Sequence, residues 1–391
     1  MSKIDDLIQE LCPDGVENRN LGSFCRIARG KVISKKYLRE HPGDYPVYSS
    51  QTQNNGVFGR IDSYVYEGEY LTWTTDGANA GTIFRRSGKF NITNVCGLLD
   101  VDRNICSIDF LFHYLQMCMK SYVSSGMGNP KLMSNVVQNI QIPVPPMEVQ
   151  QEIVCVLDSF AELEAELEAE LERRKAQYAY YRDKLLTSPL NLKLIKLGDI
   201  CDLSNGDRGK SYPKQSEILE AGVPFVNAGD LINGKVNVLD CKKISKSKYD
   251  SMGGAKLKKG DILYCLRGST GKNAIFTCDE GTVASSLVSI RPHEGFSNRY
   301  IFYLLNSSME LVQRNAKDTG AAQPNLSAAS VKEYVFPVPP LEEQQRIVDI
   351  LDKFDALVND ISQGLPAEIE ARRKQYEYYR DKLLTFKKKE N

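Results

Sequence analysis

The sequence predicts a mixed α/β protein in which two similar globular domains are joined by two long antiparallel coiled-coil helices, with internal pseudo-twofold symmetry. Three observations carry this prediction. First, residues 142–187 read IPVPPMEVQQEIVCVLDSFAELEAELEAELERRKAQYAYYRDKLLT and return at 336–385 as FPVPPLEEQQRIVDILDKFDALVNDISQGLPAEIEARRKQYEYYRDKLLT. A repeat of this length marks a tandem duplication. Second, the pattern L-G-x-x-C-x-(I/L)-x-x-G begins at Leu21 and again at Leu197, an offset of 176 residues, so the duplication includes the segments ahead of the helices. Third, those segments consist of short apolar runs broken by Gly, Asn, Asp and Ser, the pattern of many short strands and turns.

The helices follow from local chemistry. Prolines 143, 145 and 146, echoed at 337, 339 and 340, hold the chain extended and bar any earlier helix from running through. Beyond them Ile153, Leu157, Phe160, Leu163, Leu167, Leu171, Tyr178, Tyr181 and Leu185 recur mostly three or four residues apart, which is one apolar stripe on a helix. Residues 161–172 are three tandem AELE units, strong helix formers without glycine, proline or β-branched residues. At ~1.5 Å per residue the first helix would span on the order of 60 Å, and a helix of that length with a leucine seam calls for its own repeat as partner. Gly364, Leu365 and Pro366 should divide the second copy into two helices. The expected layout is a first domain over 1–146, a central helix over 147–187, a second domain over 188–340 and a helix pair over 341–391. Within it, Ile4 to Leu11 forms a short amphipathic helix ended by Cys12-Pro13-Asp14-Gly15, and each domain carries a helix, near 108–123 and 297–315.

Bulk properties exclude several classes. No stretch approaches ~18 apolar residues and no leader is evident, so a cytoplasmic protein with no membrane span is expected. The ten cysteines lack C-x-x-C or Cys/His clustering, which points to reduced, mostly buried thiols rather than a zinc site. His41, His113 and His293 are too scattered for metal ligands, and His113 is read as a core residue. Formal charge is zero, yet residues 148–187 carry 5 basic against 10 acidic side chains while 188–340 carry 20 against 15, so the second domain is the more basic. No catalytic residues are assigned. The N/D-P-P-Y/F motif of an adenine methyltransferase is absent, the E-x-K triplet of common nucleases is absent, and Gly268–Lys272 lacks both the first glycine and the Ser/Thr of a phosphate loop.

In combination, the P-x-P-P-(L/M)-E-x-Q-x-x-I-V-x-x-L-D start of each helix, the Y-Y-R-D-K-L-L end, the N-terminal IDDLIQELCPDGVE and the opening KLGDIC resemble the specificity subunit of type I restriction-modification systems. The T-G-x-x-x-P-x-L pattern at Thr319, Gly320, Pro324 and Leu326 is similar to the family's recognition domains; the first domain departs from it, reading G-M-G-N-P-K-L from Gly126. The resemblance implies two target recognition domains, each reading half of a bipartite asymmetric site in double-stranded DNA. It also implies helices that act as spacer and as dock for two methyltransferase subunits, restriction subunits that complete the complex, and no cofactor in this chain, with S-adenosylmethionine and Mg/ATP on the partners.

On that basis the polar loops are candidate DNA contacts. In the first domain these are Ser50, Gln51, Gln53, Asn54, Thr75, Asn79, Arg85 and Lys131; in the second, Lys210, Asn227, Arg267, Thr270, Lys272, Gln323 and Asn325. Asn and Gln suit adenine edges and Arg and Lys suit guanine edges, whereas for any one residue a solvated turn or a phosphate contact is the alternative. The lysines between Lys242 and Lys259 would supply sequence-independent affinity. Trp73 is read as core. The subunit dock is assigned to Arg174, Tyr178, Tyr181 and Arg182 with their echoes Arg372, Tyr376, Tyr379 and Arg380, the alternative being that the tyrosines are the seam itself. Each AELE unit adds ~6 Å of helix, close to two base pairs of ~3.4 Å, so their number should set the gap between half-sites. A non-catalytic coiled-coil scaffold with two protein-binding heads remains the rival reading.

Overall fold

The computed structural model describes residues 2–124, 128–187, 193–207, 209, 211–317, 325–359 and 364–389. It divides into two compact units, one of residues 1–166 with 370–391, the other of residues 167–369. These units do not follow the segment boundaries read from the sequence, because the central helix is not a body of its own. Each half of it belongs to the unit whose core it fills.

The first unit contains β1 (Asn18–Asn20), β2 (Cys25–Arg29), β3 (Tyr45–Tyr48), β4 (Val57–Ile61), β5 (Tyr66–Thr74), β6 (Ile83–Ile92), β7 (Cys96–Val101) and β8 (Gln141–Pro143), with helix Ser2–Leu11 ahead of β1 and helix Ile108–Cys118 between β7 and β8. Six strands form a sheet in the order β2-β7-β5-β6-β3-β4, antiparallel except for β3 beside β6, and β1 pairs antiparallel with β8. That small pairing sets Arg19 opposite Ile142 and so joins the chain just before the L-G-x-x-C motif to the chain just before PVPP.

The second unit repeats the plan. Its strands are β9 (Leu194–Lys196), β10 (Cys201–Asn205), β11 (Val223–Val226), β12 (Leu231–Ile232), β13 (Lys235–Val236), β14 (Lys242–Ile244), β15 (Ile262–Cys265), β16 (Asn273–Ile275), β17 (Thr282–Val283), β18 (Leu287–Pro292) and β19 (Val335–Pro337). They form sheets β10-β18-β15-β16-β13-β12 and β14-β11-β17, and β9 pairs with β19, placing Ile195 opposite Phe336. The glycine that ends each L-G-x-x-C motif has one explanation in both units. A Cβ on Gly30 would stand 1.9 Å from the Ile92 carbonyl oxygen, and one on Gly206 2.1 Å from that of Ala284, so only glycine lets the chain pass.

The central helix runs unbroken over Met147–Thr187, whereas the second copy is two helices, Leu341–Asn359 and Gly364–Leu383, with Gly364 at φ +68 as the expected break. Pro146 and Pro340 offer their carbonyls to the amides of Gln150 and Gln344 at 3.1 and 3.0 Å, which starts each helix. The buried Gln150 then explains the repeated E-x-Q. Its Oε1 accepts from the Ser107 amide at 2.7 Å, at the head of helix Ile108–Cys118, and its Nε2 donates to the carbonyls of Pro145 (2.8 Å) and Ile105 (3.2 Å). Gln344 repeats this on the Ser297 amide and the Pro339 carbonyl, both at 2.9 Å, ahead of helix Asn298–Leu304.

Cores confirm the crossed composition. Trp73, Phe110, Leu115, Ile153 and Leu157 pack with Leu383 and Leu384 in the first unit; Tyr264, Tyr300, Ile347 and Leu351 pack with Tyr178 and Leu186 in the second. Trp73 is fully buried, as expected, with its Nε1 donating to the Leu132 carbonyl at 3.1 Å. No helix among the described residues is long and apolar enough to cross a membrane, and no cluster of three or more His, Cys, Asp or Glu among them could hold a metal ion.

Gln150→Leu keeps the side-chain volume but strands the part-buried Ser107 amide and Ile105 carbonyl and the buried Pro145 carbonyl, so it is expected to cost about 1–3 kcal/mol. Urea unfolding of the intact chain checks this, and Gln344→Leu is expected to behave alike. A loss indistinguishable from zero would mean that these bonds do not hold the helix head.

Candidate nucleic-acid interface

Two loops meet at the end of β5 in the first unit. The Leu132 amide donates to the Thr75 carbonyl at 2.9 Å, which brings Asp76 and Lys131 opposite each other in an isolated antiparallel bridge. Around them, Arg29 Nη2 donates to Thr75 Oγ1 (2.8 Å) and the Asn94 carbonyl (2.6 Å), and Thr75 Oγ1 donates to Asp76 Oδ2 at 2.5 Å. Arg29 and Lys131 approach the Asp76 carboxylate at 3.7 and 3.8 Å. Of the candidates, this site unites Thr75, which is buried, and Lys131, with exposed Asn79 in the adjoining turn. Arg29 and Asp76, both half-buried, complete it; Asp76 lies between the candidates Thr75 and Asn79, whereas nothing local singles out Arg29, far from them in the chain.

Ser50, Gln51, Gln53 and Asn54 lie on a different loop. Buried Arg86 holds it, donating to the Asn55 carbonyl at 2.8 Å while stacking 3.7 Å over the Tyr48 ring, and Gln51 donates to the Val57 carbonyl. Burial pushes the Arg86 guanidinium below its ordinary pKa.

In the second unit the matching elements again meet. The Leu326 amide donates to the Leu266 carbonyl at 2.9 Å, Arg267 bridges Asn325, and Arg267 Nε donates to Asn325 Oδ1 at 3.2 Å. Thr270 and Lys272 occupy the same loop, and Lys272 Nζ reaches the Ala228 carbonyl at 3.3 Å, beside Asn227. Asn227 itself is engaged in its own turn, its amide donating to Asp230 Oδ2 at 2.7 Å. Lys210 and Gln323 lie outside the described residues, as do Thr319, Gly320 and Pro324 of the recognition pattern. Within the lysine series, Lys246 and Lys248 pair with Glu280 and Glu217, whereas Lys242, Lys258 and Lys259 are exposed.

Arg85 lies on a strand rather than a loop, and of the dock residues Arg174 and Tyr181 are exposed while Tyr178 is buried. Arg85 sits on β6 and binds Asp109 and Asp158, each at 3.0 Å, with its guanidinium 4.3 Å over Phe112. Asp158 also meets His113 Nε2 at 2.8 Å, and His113 Nδ1 meets the Tyr376 hydroxyl at 3.0 Å. At the corresponding places of the second unit, Tyr303 donates to Asp352, Arg299 Nε reaches Asp352 at 2.9 Å, and Tyr178 donates to Asp355 at 3.5 Å. Tyr379 stacks on Phe160 (5.3 Å, 16°) and Tyr181 on Phe354 (6.2 Å, 25°). Tyr178, Tyr376 and Tyr379 therefore pack into the seam, and Tyr181 stacks on Phe354 while remaining 39% exposed. Arg182 and Arg380 bind neighbouring Asp183 and Asp381, Arg174 binds Glu170, and Arg372 donates to Gln375 at 3.1 Å. The outward face instead carries Tyr180 and Tyr378, 61% and 62% exposed. In Y-x-Y-Y the first and fourth residues share one helix face and the third points away, a signal present in the sequence.

The chain is similar to known proteins along most of its length. A model of the type I restriction modification DNA specificity domain matches residues 13–173 and 189–371. A Mycoplasma pneumoniae protein named as a type I specificity subunit is 33% identical over 379 residues, covering 94% of this chain and 97% of its own. The specificity subunit of an Escherichia coli type I restriction enzyme is 33% identical over 306 residues, 74% of this chain and 73% of its own. Among solved structures, a type I restriction-modification S subunit from M. genitalium superposes with TM-score 0.54 at 17% identity, covering 94% of this chain and 96% of that one. A chain from a study of type I complex assembly reaches 0.61 at 16% identity, covering 95% and 97%.

The buried His113 titrates in a window of its own. Burial, with Arg85 adding to it, holds the ring below its ordinary pKa of 6.5, while Asp158 and Asp109 oppose. The unfolded chain therefore takes up the proton first, and stability is lost as pH falls below about 6.5. For Asp158, burial acts upward but the hydrogen bonds from His113 and Arg85 prevail, so its contribution is lost only at lower pH, below the ordinary 3.8. Between pH 7.5 and 5 the chain is expected to lose more unfolding free energy than His113→Gln does; equal losses would contradict this environment.

Proposed function

We propose a function from one premise: the chain belongs to the family of type I restriction-modification DNA specificity subunits. The general role of that family is recognition of DNA sequence. In our reading each unit reads one half of a bipartite, asymmetric site in double-stranded DNA, and the chain itself carries out no chemistry. The paired helices set the gap and dock two methyltransferase subunits, with Tyr180 and Tyr378 on the face left open to a partner. Restriction subunits complete the assembly. S-adenosylmethionine and Mg/ATP act on those partners, and the complex works in the cytoplasm.

The observation that supports this reading most is a repeated frame with unlike side chains. The same strand end and the same P-x-L leucine are locked by the same backbone bond in both units, yet the facing pair is Asp76 with Lys131 in one and Arg267 with Asn325 in the other. A shared scaffold presenting different donors and acceptors suits two half-sites of different sequence.

Co-expression with the methyltransferase subunits in a host free of adenine methylation, followed by genome-wide mapping of methylated adenines, is expected to yield a bipartite motif with a fixed gap. Removing one AELE unit is expected to shorten the gap by about two base pairs. An unchanged gap would contradict the spacer role. A demonstrably active partner that yields no motif would favour the scaffold with protein-binding heads.

A further inference from the structure

The two facing pairs differ in what they leave available. In the first unit the Asp76 carboxylate is already engaged by Thr75, Arg29 and Lys131, so both cations there have an acidic partner inside the protein. In the second unit Arg267 is exposed, and its protein partner is the neutral side-chain oxygen of Asn325. No carboxylate pairs with it among the described residues, so its charge is not offset by an ion pair. Because Nε is the nitrogen held, at 3.2 Å, the guanidinium plane is oriented, and neither terminal nitrogen has a hydrogen-bond partner among the described residues. The backbone beneath is fixed by the 2.9 Å bond from buried Leu326 to Leu266 and by the Arg267–Asn325 bridge.

We propose that Arg267, aligned by Asn325, is the guanine-reading fork of the second unit, an inference that rests on the DNA-recognition function above. Two parallel N–H donors on a rigid plane match guanine O6 and N7, which are both acceptors on one edge in the major groove. A neutral anchor orients the group without neutralising it, which a carboxylate at 325 would do. The corresponding position in the first unit is an aspartate, so the first half-site is not read by an arginine there. Asn325 acts through Arg267 and is a positioning residue.

The test is the methylated-adenine map of the intact complex for wild type, Arg267→Lys, Arg267→Ala and Asn325→Ala. Lysine keeps the charge that a phosphate contact needs but not the fork. Arg267→Lys is therefore expected to lose discrimination, roughly tenfold to a hundredfold, at a single guanine of one half-site. The other half-site stays intact and reports that the complex is folded and assembled. Asn325→Ala is expected to relax the same guanine by a smaller factor, and Arg267→Ala at least as much as lysine. A wild-type motif in Arg267→Lys, relaxation at a base other than guanine, or a uniform fall at all sites without relaxation would each overturn the inference while leaving the two-headed reader standing. A wild-type complex that yields no motif would overturn both.

Discussion

Two stacked aromatic pairs, Phe160 on Tyr379 and Tyr181 on Phe354, express the constraint on which the structure depends. In each, the phenylalanine follows the L-D that closes the P-x-P-P start of one repeat and the tyrosine belongs to the Y-Y-R-D-K-L-L end of the other. Such pairs contribute about 0.5–1.5 kcal/mol beyond the area they bury, so they do not hold the units by themselves. They mark the register of a larger exchange. The first unit's core includes Leu383 and Leu384 from the chain's end, and the second's includes Tyr178 and Leu186 from the first repeat. Neither unit's core is complete without a segment contributed by the other repeat, and that reciprocity places both helices in the chain's stability.

From this exchange the repeated motifs acquire distinct tasks. The prolines start the helix, Gln150 and Gln344 fasten its head to the domain helix, and the leucine of P-x-L locks the loop that presents the variable pair. The invariant parts are all buried or backbone-directed. The parts that differ between units, Asp76 against Arg267 and Lys131 against Asn325, stand at the surface of the same frame. This separation lets one architecture carry two unlike surface pairs, since a change at the pair leaves the scaffold bonds untouched.

Much of this was legible in the chain. Periodicity and proline placement gave the unbroken first helix and the break at Gly364, and the duplication gave two like units of mixed α/β fold. What was not legible depends on contacts between residues distant in sequence. Nothing local distinguishes Gln150, which is buried, from Gln151, which is exposed. Arg85 looks like a free basic residue until Asp109 and Asp158 arrive from two helices. The tyrosines at 178, 181, 376 and 379 were divided between seam and dock because a stripe does not reveal which side is occupied. The equivalence of Asp76 with Arg267 was hidden by opposite charge, and only the matching bridges expose it.

The last helix, from Glu370 onward, completes the first unit rather than the second. Hydrogen exchange on a chain ending at Asn359, compared with the full chain, measures this. The expected result is loss of protection in helix Ile108–Cys118 and the first half of the central helix, with strands β15 and β18 of the second unit as protected as before. Full protection of the first unit without its final helix would contradict the exchange of segments from which the rest is built.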